Sequence, residues 1–291
     1  MLDFSFGTAK TVLIDPVERL SESRGPENMS DWKALLGRIT VFVGSPASGP
    51  FLTALDLYQK IWGGNPESFQ SSPNPLMPSM AQGKRDGLTA GCIVQPTRID
   101  FNLSPSPPAE REHAEAELAL IDDTAQLRAE LARIIEFVGG FVVTNSVSRV
   151  GLALHFLTLT PNIEAANKAL ITVMPKQYRV GVTTEEDFVF QVNQPSMSEN
   201  VGGIRINHVT KWNVDRFQVF RVAIAPNAPV VDSRDIPQHQ NEFIAASVVF
   251  DSNNVLSATP LDPTQQSSLL RECLTSVVGM QRIFGLNVEG F

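Results

Sequence analysis

Residues 146–158, SVSRVGLALHFLT, carry the period of a β-strand. Val150, Leu152, Leu154 and Phe156 fall on one face, while Arg149, Gly151, Ala153 and His155 fall on the other. The first face is wholly apolar. The second is small except for two polar side chains. A helical pattern leads into this stretch and a succession of strand-like segments follows it, so it reads as a central strand joining two β-rich halves.

Upstream, Ser30 or Asp31 caps a short helix holding Trp32, Leu35 and Leu36, and Arg38 to Val43 is strand-like by its β-branched content. The connector GSPASGP at 44–50 leads to a helix from about Phe51 to Trp62, which Gly63-Gly64 ends. Residues 65–87 hold several prolines and serines with little periodicity and read as a long loop. Two strands follow, Leu88 to Val94 and Thr97 to Leu103. Gln95-Pro96 between them argues for a bulge or an edge rather than a tight hairpin. A helix from about Ala109 to Val138 carries the stripe Leu120, Leu127, Leu131, Ile134 and Val138, with Asp122-Asp123 marking a break.

Downstream come a short helix at 161–171 and strands at 178–182, 188–193, 203–212, 216–225 and 243–251. SNN at 252–254 reads as a turn. A final helix from about Thr264 to Phe284 places Leu269, Leu270, Cys273, Leu274, Val277 and Met280 on one side. The expected fold is α+β, with largely antiparallel sheets flanked by helices. Its expected plan is two related or fused sheet-and-helix halves, 38–158 and 159–291, after an N-terminal segment 1–37. One continuous domain is compatible with the same pattern.

Hydrophobic residues at 43% and charged residues at 19% of 291 indicate a folded chain with a substantial core. The net charge of −8 opposes a phosphate backbone and disfavours nucleic acid as a partner. Cys92 and Cys273, far apart in sequence, read as reduced, buried thiols. The start MLDFSFGTAKTVLIDPVERL lacks the pattern of a signal peptide, and no run is apolar for long enough to span a bilayer. A cytoplasmic protein, not bound to a membrane, is the expectation.

Arg149-Val150-Gly151-Leu152 gives an Arg-apolar-Gly-apolar motif after a long helix. A strand pair ending in Arg98-Ile99-Asp100-Phe101-Asn102 precedes it, and Met280-Gln281-Arg282-Ile283-Phe284 ends the last helix. In these features the chain resembles a sporadically distributed family of uncharacterised bacterial proteins over about 38–284. It departs from that family's pattern at Ala153 and His155, where the family carries bulkier and more polar residues. The resemblance implies a layout and no chemistry.

The loop at 44–50 has Gly-x-x-x-x-Gly spacing, yet it lacks the Lys and Ser/Thr of a phosphate loop, and Pro46 and Pro50 remove two donors. His113, His155, His208 and His239 show no ligand spacing, so neither a metal nor a cofactor is expected. His113 reads as part of a solvated acidic helix, while His155 and His208 lie in strands and are able to share an interior. There is no nucleophile elbow and no catalytic cysteine signature. Asp100 and Asp251, on or ending strands, are the acids to watch: facing one cleft, they would form an acid–base pair. Serving turns is the plainer role.

Arg149, inside an otherwise apolar strand, requires a partner. A carboxylate on a neighbouring strand would make it structural, and an anionic ligand would make it a binding residue. Phe69, Leu76, Met77 and Met80, among prolines, are either a partner surface or anchors of their own loop. The reading these features favour is a non-catalytic binding or interaction protein, docking on another protein or on itself. The alternative is an enzyme or small-molecule sensor with an anionic-ligand site around Arg149, His155, His208 and an aspartate.

Overall fold

Strand β6 (Val147–Thr160) lies in the interior of a ten-stranded sheet. The computed structural model describes residues 31–43, 53–71, 74, 77–106, 117–140, 147–179, 188–221, 239–286 and 288. On one side β6 pairs antiparallel with β1 (Lys33–Val43), and on the other with β10 (His239–Asn254). Beyond β1 come β5 (Arg98–Pro105), β4 (Leu88–Gln95), β3 (Ser79–Arg85) and the short edge strand β2 (Ser68–Gln70). Beyond β10 come β9 (Arg205–Arg221) and β7 (Val189–Asn193), with β8 (Ser196–Met197) also pairing with β9. Every one of these pairings is antiparallel.

The helices are α1 (Ala54–Trp62), α2 (Thr124–Gly140), α3 (Ile163–Val173) and α4 (Pro263–Ile283). Most of their buried apolar residues belong to one hydrophobic cluster with the apolar face of the sheet, including Ile39, Val41, Phe101, Leu154, Phe156 and Phe250. That cluster is where the apolar side of residues 146–158 goes. The architecture is therefore α+β with a mostly antiparallel sheet, its helices covering the face opposite Arg149.

Helix ends follow local chemistry. Thr53 and Asp56 form a capping box on α1, and Gly63 at φ 70° ends it in the left-handed conformation. Asp262 and Gln265 cap α4 in the same way, with Pro263 in the first turn. Inside the layer, Glu130 is 3% exposed and accepts from Trp62 Nε1 at 2.9 Å, which satisfies a buried carboxylate and an indole together.

Several expected boundaries change. Residues 33–37 continue the strand instead of forming a helix, because Ala34 pairs with Phe156 and its carbonyl accepts from the Ile121 amide at 2.8 Å. The expected long loop at 65–87 contains β2 and β3. Asp86 and Gly87, both at positive φ, form the two-residue turn joining Arg85 to Leu88. Pro96-Thr97 makes a tight hairpin after all, with Gln95 opposite Arg98. Residues 117–123 precede α2, and Asp123 accepts from the Gln126 amide at 2.8 Å, so the break at Asp122-Asp123 is the start of the helix. The expected strands at 203–212 and 216–225 join as one strand, β9, over Arg205–Arg221, with 222–225 outside the described residues, and the expected turn at 252–254 belongs to β10. Lys176–Tyr178, at the start of an expected strand, form a 3-10 turn. The connector at 44–50, His113 and Leu76 lie outside the described residues.

Phe156 is fully buried and meets the Phe250 ring edge-on at 6.0 Å. Truncation to alanine in Phe156→Ala is expected to lower unfolding free energy by about 3–5 kcal/mol. Urea denaturation checks this as a lowered midpoint with an unchanged slope.

Candidate functional site

The site lies on the face of the sheet opposite the helices, and strand registers define it. Three rows of side chains cross the central strands. Asn102, Arg38, Ala153 and Asp251 form one row, on β5, β1, β6 and β10. Asp100, Thr40, Gly151 and Asn253 form the next. Arg98, Phe42 and Arg149 form the third. Directly opposed residues share a face, so the two smallest side chains, Gly151 and Ala153, make a floor between Arg38, Arg149, Asp251 and Asn253. The cavity above it has a volume of about 180 Å³. A Cβ at Gly151 would stand 3.0 Å from the Asn253 Cβ, so glycine is what lets Asn253 close over that strand.

The three arginines differ in what holds them. Arg98 is paired: its Nε lies 2.7 Å from Asp100, which also accepts from Thr40 Oγ1 at 2.7 Å and is 4% exposed. Arg149 donates from one terminal nitrogen to Asn253 Oδ1 at 2.6 Å and lies 5.1 Å from the centre of the Phe42 ring. Its Nε is buried and without a hydrogen-bond partner among the described residues. Arg38 Nε is in the same condition. Buried donors left unmade are costly and rare, and a bound group is one of the few arrangements that satisfies them.

Asp100 and Asp251 share this face but are not brought together. Three strand spacings and a two-residue offset separate them, about 16 Å between backbones. Asp100 is consumed by Arg98 and Thr40. Asp251 accepts from Asn253 Nδ2 at 2.7 Å on Oδ1, while Oδ2 has no hydrogen-bond partner among the described residues. His155 is on the same face as Arg149, but its Nε2 lies 2.9 Å from Ser247 Oγ and 3.4 Å from Asp215. Burial pushes the Asp215 carboxyl up, and hydrogen bonds from His155 and Ser247 overcome that and hold it below the usual range.

His208 is on the other face, beneath α4. Its Nδ1 lies 2.7 Å from Ser252 Oγ and 3.0 Å from Ser276 Oγ, and its Nε2 lies 2.9 Å from Ser196 Oγ. The two histidines therefore have no common interior. A cavity of about 440 Å³ opens beside His208, lined by Asn200, Arg271 and Glu272 among others. Glu272 is occupied as a clamp on the 198–200 segment, accepting from Ser198 Oγ at 2.7 Å and the Glu199 amide at 3.0 Å. His239 heads β10, and its side chain is outside the described residues.

No family model, no curated protein and no solved structure matches the chain.

Phe69, Met77 and Met80 are exposed at 42%, 55% and 40%. Phe69 stands opposite Ala81 on the helix side of the β2–β3 edge, and Met80 points to the other side, so they do not form one patch. Both thiols are buried and free, and burial pushes each well above its ordinary pKa. No helix among the described residues is long and apolar enough to cross a membrane. Among the same residues no three His, Cys, Asp or Glu side chains gather as metal ligands.

Burial lowers the pKa of His208, against a smaller opposing pull from Glu272. The folded chain therefore takes up this proton later than the unfolded chain does. The stability linked to a neutral His208 is present above pH 6.5 and is lost as pH falls below that value toward the depressed folded pKa. The stability advantage of wild type over His208→Gln is expected to shrink between pH 7 and pH 5, measured as urea midpoints across that range.

Proposed function

We propose that this protein is a non-catalytic binding protein that holds a small anionic group on the sheet face opposite the described helices, between Arg38 and Arg149. One observation carries the reading: two guanidinium groups flank a floor of Gly151 and Ala153, each with a buried Nε that has no partner among the described residues. An anion with two or more acceptor oxygens satisfies both, and arginine's fixed fork suits that geometry. Arg98, already neutralised by Asp100, positions the Phe42 ring from the other side at 5.7 Å.

The topology supports two related halves as the origin of this site. The run β1–α1–β2–β3–β4–β5–α2 and the run β6–α3–β7–β8–β9–β10–α4 each open with a strand that pairs with the run's last strand and close with a helix. The two opening strands, β1 and β6, pair with one another, and the arginine pair straddles that seam. We also assign the chain, on its Arg149-Val150-Gly151-Leu152 strand and its element order, to the layout of the bacterial family it resembles. A reducing, cytoplasmic setting agrees with two buried free thiols.

Arg38 makes no hydrogen bond or ion pair with another described side chain, which separates binding from folding. Arg38→Ala is expected to leave the chain folded, with a cooperative urea transition of unchanged slope. Wild type is expected to gain more melting temperature in inorganic phosphate, relative to chloride of equal ionic strength, than Arg38→Ala and Arg149→Gln, which keep only the general effect of phosphate on folded proteins. An equal gain in wild type and both variants would overturn the proposal.

A further inference from the structure

The cavity between Arg38 and Arg149 is not uniformly basic, and its acidic wall points to a more specific ligand. This step rests on the anion-binding reading above. Asp251 stands in the same row as Arg38, across Ala153, with backbones about 10 Å apart. Its Oδ1 is held by Asn253, which in turn accepts from Arg149, so one chain of side chains fixes both charges at the cavity wall. Oδ2 is left without a hydrogen-bond partner among the described residues. A pure anion such as phosphate would satisfy the two arginines and leave Oδ2 unanswered. A ligand carrying an anion at one end and a cationic donor at the other would satisfy Arg38, Arg149 and Asp251 together.

The remaining surroundings limit its size and character. The volume of about 180 Å³ falls below the range of roughly 300–1,000 Å³ typical of sites for drug-sized molecules. The floor is Gly151 and Ala153, and the Phe42 ring forms an apolar wall. We propose that the ligand is a small zwitterion of the α-amino acid type, its carboxylate held by Arg38 and Arg149 and its ammonium by Asp251. An aliphatic side chain suits the ring of Phe42. Specificity of this kind depends on charges of both signs fixed before the ligand arrives, because each end of a wrong ligand leaves one wall group unpaired.

The test is calorimetric titration of the full chain with three probes of one carbon skeleton: L-leucine, 4-methylpentanoate and 3-methylbutylamine. L-Leucine is expected to bind about tenfold or more tightly than either single-charge analogue. Asp251→Asn, which keeps a carbonyl acceptor for Asn253, is expected to cost L-leucine about tenfold or more in affinity without weakening 4-methylpentanoate. Arg149→Gln should weaken both. Circular dichroism melting of each variant guards against loss of fold. Equal binding of L-leucine and 4-methylpentanoate to wild type would overturn the zwitterion, as would an unchanged affinity for L-leucine in Asp251→Asn. Stabilisation by phosphate with no binding of L-leucine would overturn the ligand class while the anion site stands. Failure of phosphate and all three probes would remove both.

Discussion

The antiparallel pairing of β1 with β6 is the constraint on which the rest of the molecule depends. Over 37–42 of β1 and 151–157 of β6 each strand is paired on both sides, so the backbone groups there find partners within the sheet. Each must satisfy an apolar layer on one face and a polar one on the other, and alternation with period two fixes which residues serve which. Ile39 and Val41 pair with Leu152 and Val150 beneath the helices. Their sequence neighbours Arg38, Thr40 and Phe42 meet Ala153, Gly151 and Arg149 on the opposite side. A slip by one residue would bury the arginines under α2 and expose the core, so the register that makes the core also makes the site.

The period of residues 146–158 was readable because it runs unbroken across a buried strand. The helices were readable where stripe and caps coincide, as in α1 and α4. Hidden elements have local reasons. Strand β3 presents Ala81 and Gly83 to the helix layer, and a Cβ at Gly83 would stand 2.5 Å from the Tyr58 hydroxyl oxygen. Small residues are required there, which erased the apolar alternation. The Asp86-Gly87 pair was the signal that would have found this hairpin. Asn213-Val214-Asp215 looked like a turn, yet Asn213 and Asp215 are hydrogen-bonded to each other, Asp215 reaches His155, and Val214 points toward the core. Polar strand residues become intelligible only when the facing strand is known.

The candidate site shows the same limit. Arg149 stood out because it interrupts an apolar strand, and Gly151 and Ala153 were visibly small. Arg38 did not stand out, because it opens the run RITVFV as an ordinary polar flank. Pairing across β1 and β6 turns it into the second guanidinium of a pair. Face parity within one strand was enough to separate Arg149 from Leu152. It was not enough to place His155 and His208, which lie in different strands and fall on opposite faces.

The bond between Arg149 and Asn253 spans 104 residues of sequence. Arg38 comes from the first described strand and Asp251 from the last, so no partial chain that ends before β10 contains the cavity. During synthesis the central seam therefore waits with one side of β6 unpaired until the final strand arrives, a non-local closure of the kind that slows folding. A ligand bridging β1, β6 and β10 would act as a clasp across that closure, favouring the completed sheet over any state in which the last strand is loose.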